Sequence, residues 1–226
     1  DLENGRRTVL YGDDEHLYFA PVFDPSGRRI AFLDCEHRAD PAHFWADLCV
    51  TPADRSDSAV QPAPRLTEGR RHWFGTTHGP AEHRGGGSNM TSWTPDGRYI
   101  TYTRSMPGSH PDCYYDDSRP DHQENVFRPE NARGGTQLCL LSPDTGEVVE
   151  LTPHEEGRWD FRAVFEPHSG RIAFAGYRIG EAVELRTADP DGANQVLITT
   201  GFAGHGADHP RWVPETALDA VPREAD

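Results

Sequence analysis

Asn89-Met-Thr-Ser-Trp-Thr-Pro-Asp-Gly-Arg-Tyr-Ile-Thr-Tyr-Thr-Arg104 decides how the rest of the chain is read. Asn89 to Thr94 has the composition of a short strand, and Pro95-Asp96-Gly97 is a turn signal. From Arg98 to Arg104 the side chains alternate, with Tyr99, Thr101 and Thr103 on one face and Ile100 and Tyr102 on the other. Two strands around a tight turn predict a β-hairpin. Trp93 and Ile100 are expected to pack against neighbouring structure, which makes this stretch scaffold.

The same hairpin returns along the chain. Ala20-Pro-Val-Phe-Asp-Pro25-Ser-Gly-Arg-Arg-Ile-Ala-Phe32 matches it, as does Arg162-Ala-Val-Phe-Glu-Pro167-His-Ser-Gly-Arg-Ile-Ala-Phe174 with a longer turn. His209-Pro-Arg-Trp-Val-Pro214 stops after its first strand. An aromatic stands two residues before each proline: Phe23, Trp93, Phe165 and Trp212. After each complete hairpin a third strand is predicted at Asp47–Pro52, Gln137–Pro143 and Glu184–Pro190. A fourth follows at Pro64–Thr67, Val148–Thr152 and Gln195–Thr199. Residues 6–11 match only a fourth strand.

Four-stranded antiparallel units in tandem predict an all-β chain, a β-propeller of four-stranded blades. The expected blades span 13–69, 89–154 and 158–201, with partial blades at 1–12 and 205–214. Closed propellers have about four to eight blades. The remainder is therefore expected from a longer chain or from a second copy. The turn proline, the Ile-Ala-Phe second strand and the Leu-Thr fourth strand resemble the TolB-like (WD-like) propeller repeat, over nearly the whole chain. That resemblance implies a periplasmic or extracellular setting, and a fold shared by binding proteins, peptidase accessory domains and polysaccharide lyases.

Composition narrows the partners. The 226 residues carry a formal net charge of −15, which repels nucleic acid and anionic membrane surfaces. No run approaches the roughly 20 apolar residues of a membrane span. Gly 22 and Pro 19 suit many turns, and 10% aromatics suit a folded core. Cys35, Cys49, Cys113 and Cys139 lack a CxxC pairing. Cys49 and Cys139 fall at matching third-strand positions and are expected to be buried thiols. Cys35 and Cys113 could pair only if their loops meet. The tail 215–226 is acidic and expected to fray.

Two segments interrupt the repeat, 70–88 and 105–135. Both are polar and rich in Gly and Pro, yet contain Trp73, Phe74, Tyr114, Tyr115 and Phe127, so partial order is expected. In a propeller they would emerge on one face, around the channel mouth. Candidate ligand-binding residues there are His78, His83, Arg84, Asn89, His110, His122 and Gln123, with Asp112, Tyr114 and Tyr115 beside them. Reading down the repeat adds His16, Arg158 and His205 nine residues before a turn proline, and Arg162 and His209 five before. Such a row of His and Arg suits an acidic ligand. His205, Asp208 and His209 form the densest set that could hold a divalent metal.

Asp189-Pro-Asp-Gly192 reads as a plain turn, and no Gly-x-Ser-x-Gly nucleophile signal is present. The expected function is a non-catalytic domain that binds a protein or carbohydrate at the channel mouth. The alternative follows from resemblance to oligogalacturonate-lyase-type propellers, with their His-rich metal site. There His205 and His209 would hold a metal, Arg158 or Arg162 would face a uronate carboxylate, and a His, Tyr114 or Tyr115 would take the proton.

Overall fold

The three proline turns close in the same way in the computed structural model. It describes residues 5, 9–12, 16–36, 45–54, 65–67, 72–73, 91–109, 113–115, 125–127, 133–179, 181–199 and 210–213. The residue before each proline donates its N–H across the turn: Asp24 to Arg29 O, Thr94 to Tyr99 O and Glu166 to Arg171 O, at 2.8–2.9 Å. The same residue staples the turn with its side chain. Asp24 Oδ1 accepts from Arg28 N–H, Thr94 Oγ1 from Tyr99 N–H, and Glu166 Oε2 from His168 N–H. Against its burial, bonds from Arg29 and Ser26 as well as Arg28 hold the Asp24 carboxyl below the usual range, and bonds from Ser169 and His168 do the same for Glu166.

Every element among the described residues is a β-strand. In chain order they are β1 His16–Phe23, β2 Arg29–Glu36, β3 Trp45–Pro52, β4 His72–Trp73, β5 Ile100–Ser105, β6 Cys113–Tyr115 and β7 Asn125–Phe127. Then come β8 Thr136–Leu141, β9 Val148–Glu150, β10 Arg158–Phe165, β11 Ile172–Arg178, β12 Glu184–Ala188 and β13 Val196–Leu197. The main sheet runs β1-β2-β3-β4-β5-β8-β10-β11-β12-β13, with β9 on β8. Among the described residues it does not close: β1 and β13 are its two ends. Neighbours pair antiparallel except β8 and β10, which meet in parallel at Trp159 and Thr136. β6 and β7 form a separate hairpin inside the 105–135 insertion, the partial order its aromatics suggest.

The three repeats of the sequence, each a unit of this sheet, share the same internal bonds. The fourth-strand Leu-Thr signature has a physical reason. Thr67, Thr152 and Thr199 each accept, through Oγ1, the backbone N–H of Leu48, Leu138 and Leu185 at 2.8–3.1 Å. The residue before each threonine (Leu66, Leu151, Ile198) returns its N–H to the carbonyl of the same leucine. A side chain thus finishes pairing that a longer ladder would otherwise supply. The fourth strands are accordingly shorter than expected: a single bridge at Arg65, and two or three residues in β13 and β9. The first strand of the middle unit is likewise reduced to a bridge between Trp93 and Ile100. Residues 9–12 form no strand, although Leu10 and Tyr11 pack on Ile30, Phe32 and Cys49.

The units stack through apolar faces. Ala31, Leu33 and Leu48 of the first meet Trp93, Ile100, Tyr102, Cys139 and Leu141 of the second. Leu138, Leu140 and Leu151 of the second meet Phe165, Ile172, Phe174 and Ala188 of the third. Indoles lock the joints: Trp93 Nε1 donates to Val22 O at 3.2 Å, and Trp212 Nε1 to Val164 O at 3.1 Å. Trp93 and Trp212 are equivalent positions two repeats apart, and each bond reaches into the repeat before. Each bond satisfies the polar handle of a large apolar side chain. Cys49 and Cys139 are buried free thiols, as their matching positions predict. Burial pushes Cys139 up to about 12 and raises Cys49 as well, so neither is a nucleophile near neutral pH.

Candidate functional site

One polar row crosses each unit at the same register, and its charges are permuted from unit to unit. Asp34, Arg104 and Gly176 are equivalent second-strand positions, paired with third-strand Asp47, Gln137 and Glu184. In the first unit Arg65 reaches back from the fourth strand to Asp34 Oδ2 at 3.0 Å and Asp47 Oδ2 at 3.8 Å. Its Nη2 also lies 3.1 Å from His16 Nε2. A guanidinium only donates, so His16 Nε2 is the acceptor and Nδ1 carries the proton toward Tyr18 Oη, 3.0 Å away. In the second unit the cation sits on the second strand, and Arg104 Nη2 bonds Gln137 Oε1 and Glu150 Oε1.

In the third unit both charges move to the first strand. Arg158 Nε meets Asp160 Oδ2 at 2.7 Å, its Nη2 donates to Gln195 Oε1 at 3.1 Å, and Glu155 lies 3.8 Å from Nη1. Gly176 makes room, since a Cβ there would stand 2.5 Å from Asp160 Oδ1. Asp160 is buried, and burial raises its carboxyl above the usual range although Arg158 pulls the other way. Arg178, paired with Glu155, and the Arg186–Glu184 pair line a cavity of about 100 Å³ together with Arg158 and Asp160. These pairs neutralise charge within the chain; the exposed ones add little stability.

Arg162 is placed differently. The β10–β11 register slips between Phe161 and Val164, and at that bulge Arg162 has φ 55°. β1 has the same slip between Phe19 and Val22, with Ala20 at φ 52°. A left-handed non-glycine costs roughly 1–2 kcal/mol, and bulges re-aim side chains. The half-buried Arg162 guanidinium lies 5.3 Å from the centre of the Phe161 ring. Burial first, and the charge of Arg211 second, bring it down to about 10. Arg211 belongs to the 210–213 segment whose Trp212 is bonded to β10, and its Nη1 donates to Pro210 O at 2.8 Å. The Arg162 side chain of β10 thus lies near a segment, outside any strand, that carries a second cation.

Of the residues singled out from sequence, the structure places His16, Arg158 and Arg162. His16 and Arg158, equivalent in the repeat, both sit in the polar row and meet groups of their own unit. The backbone of Tyr114 and Tyr115 lies in β6. His78, His83, Arg84, Asn89, His110, His122, Gln123, His205, Asp208 and His209 fall outside the described residues. Among the described residues no group of three or more His, Cys, Asp or Glu could hold a metal. Sequence reasoning missed Asp34, Arg65, Asp160 and Arg211. The first three show only when the repeats are aligned strand by strand and read across the sheet.

No family model matches the chain, and no curated protein matches it. Among solved structures, prolyl oligopeptidase B from Galerina marginata is 12% identical with a TM-score of 0.47, covering 81% of this chain and 22% of that one. Oligogalacturonate lyase from Vibrio parahaemolyticus is 11% identical with a TM-score of 0.46, covering 83% and 41%. TolB from Acinetobacter baumannii is 15% identical with a TM-score of 0.30, covering 80% and 43%. The chain spans less than half of each of these proteins, and at such values the likenesses assign neither activity nor ligand.

Proposed function

We propose that the chain supplies consecutive blades of a β-propeller and acts as a non-catalytic domain, binding a protein or carbohydrate where the innermost strands begin. One observation carries the architecture: the ends of the stack expose what its interior buries. Trp93 and Phe165 are 5% and 8% exposed, but Phe23, the same repeat position at the first unit, is 61% exposed. Leu151 is 6% exposed, whereas its equivalent Ile198 at the last unit is 52% exposed. Both end faces thus have the shape and chemistry that a further blade covers, from a longer polypeptide or a second copy. The polar rows of the second and third units, whose charges pair within the chain, favour a scaffold over a catalytic centre. The left-handed bulge that recurs at Ala20 and Arg162 turns both inner strands at the same point, which supports a shaped surface for binding there.

The test replaces residues 110–132 with a short Gly-Ser linker. Met106, Ser109 and Gly135 are kept, because Met106 N–H and Ser109 Oγ both donate to Gly135 O. Intact chain and variant are probed on peptide and glycan arrays, and retained ligand is weighed by mass spectrometry. The expected result is retention of unchanged ligand by the intact chain, lost in a variant with the same unfolding midpoint. Equal retention by both removes the insertion from the site. Unsaturated fragments from a uronate polymer would replace binding with the metal-assisted lyase alternative.

A further inference from the structure

We propose that a cleft on the second unit binds a small organic carboxylate with an apolar body. This site goes beyond the binding function above and does not rest on it. The cleft holds about 700 Å³, within the range of pockets that enclose a small molecule. From β5 and just beyond it come Tyr102, Arg104, Ser105 and Met106; from β9 and just beyond it come Val148 and His154. No described residue of the first unit lines the cleft, and the fourth strand of that unit is only a bridge at Arg65. At the next joint the same face is filled. There Leu138, Leu140 and Leu151 pack with Phe174, the residue equivalent to Tyr102. The cleft therefore belongs to one joint and is not a general consequence of the repeat.

The strand register separates a polar end from an apolar stretch. Arg104 and Ser105 pair with Gln137 and Thr136 at one end of β5. Val148 pairs with Leu141, which pairs with Ile100 at the other end. The molecule that fits is thus elongated, with its charge at Arg104 and Ser105 and its body along Tyr102 and Val148. Arg104 is already oriented, because its Nη2 donates to both Gln137 Oε1 and Glu150 Oε1. Those bonds occupy one nitrogen of a group that carries five N–H donors. Glu150 does not line the cleft, and it balances the Arg104 charge, so what Arg104 offers a ligand is directed hydrogen bonding more than net charge. Ser105 and His154 add a hydroxyl and an imidazole, both able to donate. No Asp or Glu is among the described lining residues, although the chain has 37 of them. A carboxylate accepts from these donors and meets no like charge in the lining. Tyr102, Met106 and Val148 offer apolar surface to the rest of the molecule.

The probe is phenylbutyrate, titrated calorimetrically into the full chain at fixed ionic strength. Phenylbutanol keeps the body without the charge, and acetate keeps the charge without the body. Phenylbutyrate is expected to bind about tenfold or more tighter than either comparator. Arg104→Gln and Ser105→Asp should each weaken it about tenfold or more, the second by placing a like charge in the lining. Ile198→Asp, on the exposed end face, and Arg28→Gln, in the first turn, should leave it unchanged. Unfolding midpoints confirm that each variant is folded. Ser105→Asp, at a half-buried position, carries the test should Arg104→Gln fail to fold. Equal affinity for phenylbutanol, no binding of phenylbutyrate, or unaltered affinity in both lining variants overturns the site. Loss of binding in Ile198→Asp overturns it too, because the apolar end face would then be the site. None of these outcomes bears on ligand retention in the arrays, which the insertion variant tests by itself.

Discussion

Gly192→Ala is expected to cost roughly 3–5 kcal/mol of unfolding free energy, while Gly146→Ala costs about 1 kcal/mol. Both glycines occupy the turn between the third and fourth strands of their units, with φ of 83° and 72°. Both variants therefore meet the left-handed penalty of an L-residue. They differ in surroundings. A Cβ on Gly146 meets nothing within 4 Å, whereas one on Gly192 would lie 2.0 Å from Leu151 O and 2.8 Å from Leu151 C. Those atoms are backbone of the middle unit, itself fixed by the Leu151 N–H bond to Leu138 O. They cannot swing aside as a side-chain tip would. The added methyl must push the third unit off the second. Chemical denaturation of the two variants isolates the stacking contribution, and equal losses would show that this turn does not bear on Leu151.

Arg158→Ala is expected to cost about 3–5 kcal/mol near neutral pH, because it strands a buried carboxylate. Asp160 has its Oδ2 on Arg158 Nε at 2.7 Å and no exposure to spare. Burial already raises the Asp160 carboxyl, and Arg158 is the main restraint on it, with Thr152 and Arg186 adding to it. Without Arg158 the group rises further. For a carboxyl raised in the folded state, the native form binds more protons than the unfolded form across the window between the two values. Stability then falls as pH rises through the folded value. The deficit of Arg158→Ala relative to the parent should therefore shrink as pH falls through the raised value at which Asp160 takes a proton. Asp160→Asn on the Arg158→Ala background should recover most of the loss at neutral pH. A deficit that is flat with pH and not recovered by Asp160→Asn would place the cost in lost packing or in the Gln195 bond.

Much of the scaffold is legible along the chain because its determinants are local. Pro95-Asp96-Gly97 fixes a turn within a few residues, and Ile100 and Tyr102 show their alternation directly. The Leu-Thr ending is visible too, but its role is not: a hydroxyl finishes the pairing, so the strands it closes are shorter than their composition suggests. The polar row stays hidden for the opposite reason. Asp34 meets Arg65 only after β2, β3 and the fourth-strand segment are laid side by side, and the repeat swaps which strand bears which charge. Arg162 was reachable from its repeat position, whereas the strain beneath it is a backbone property that no residue type announces. Arg211 acquires meaning only through Trp212, whose indole seats the segment on β10.

That each unit seats its inner strand on the one before is tested most directly by hydrogen exchange of the Trp93 and Trp212 indole protons in nitrogen-15 NMR. Bonded to Val22 O and Val164 O, both are expected to exchange far more slowly than free tryptophan, and the Gly192→Ala variant should speed Trp212 more than Trp93. A Trp212 indole exchanging at the free rate beside a protected Trp93 would contradict the series of stacked inner strands.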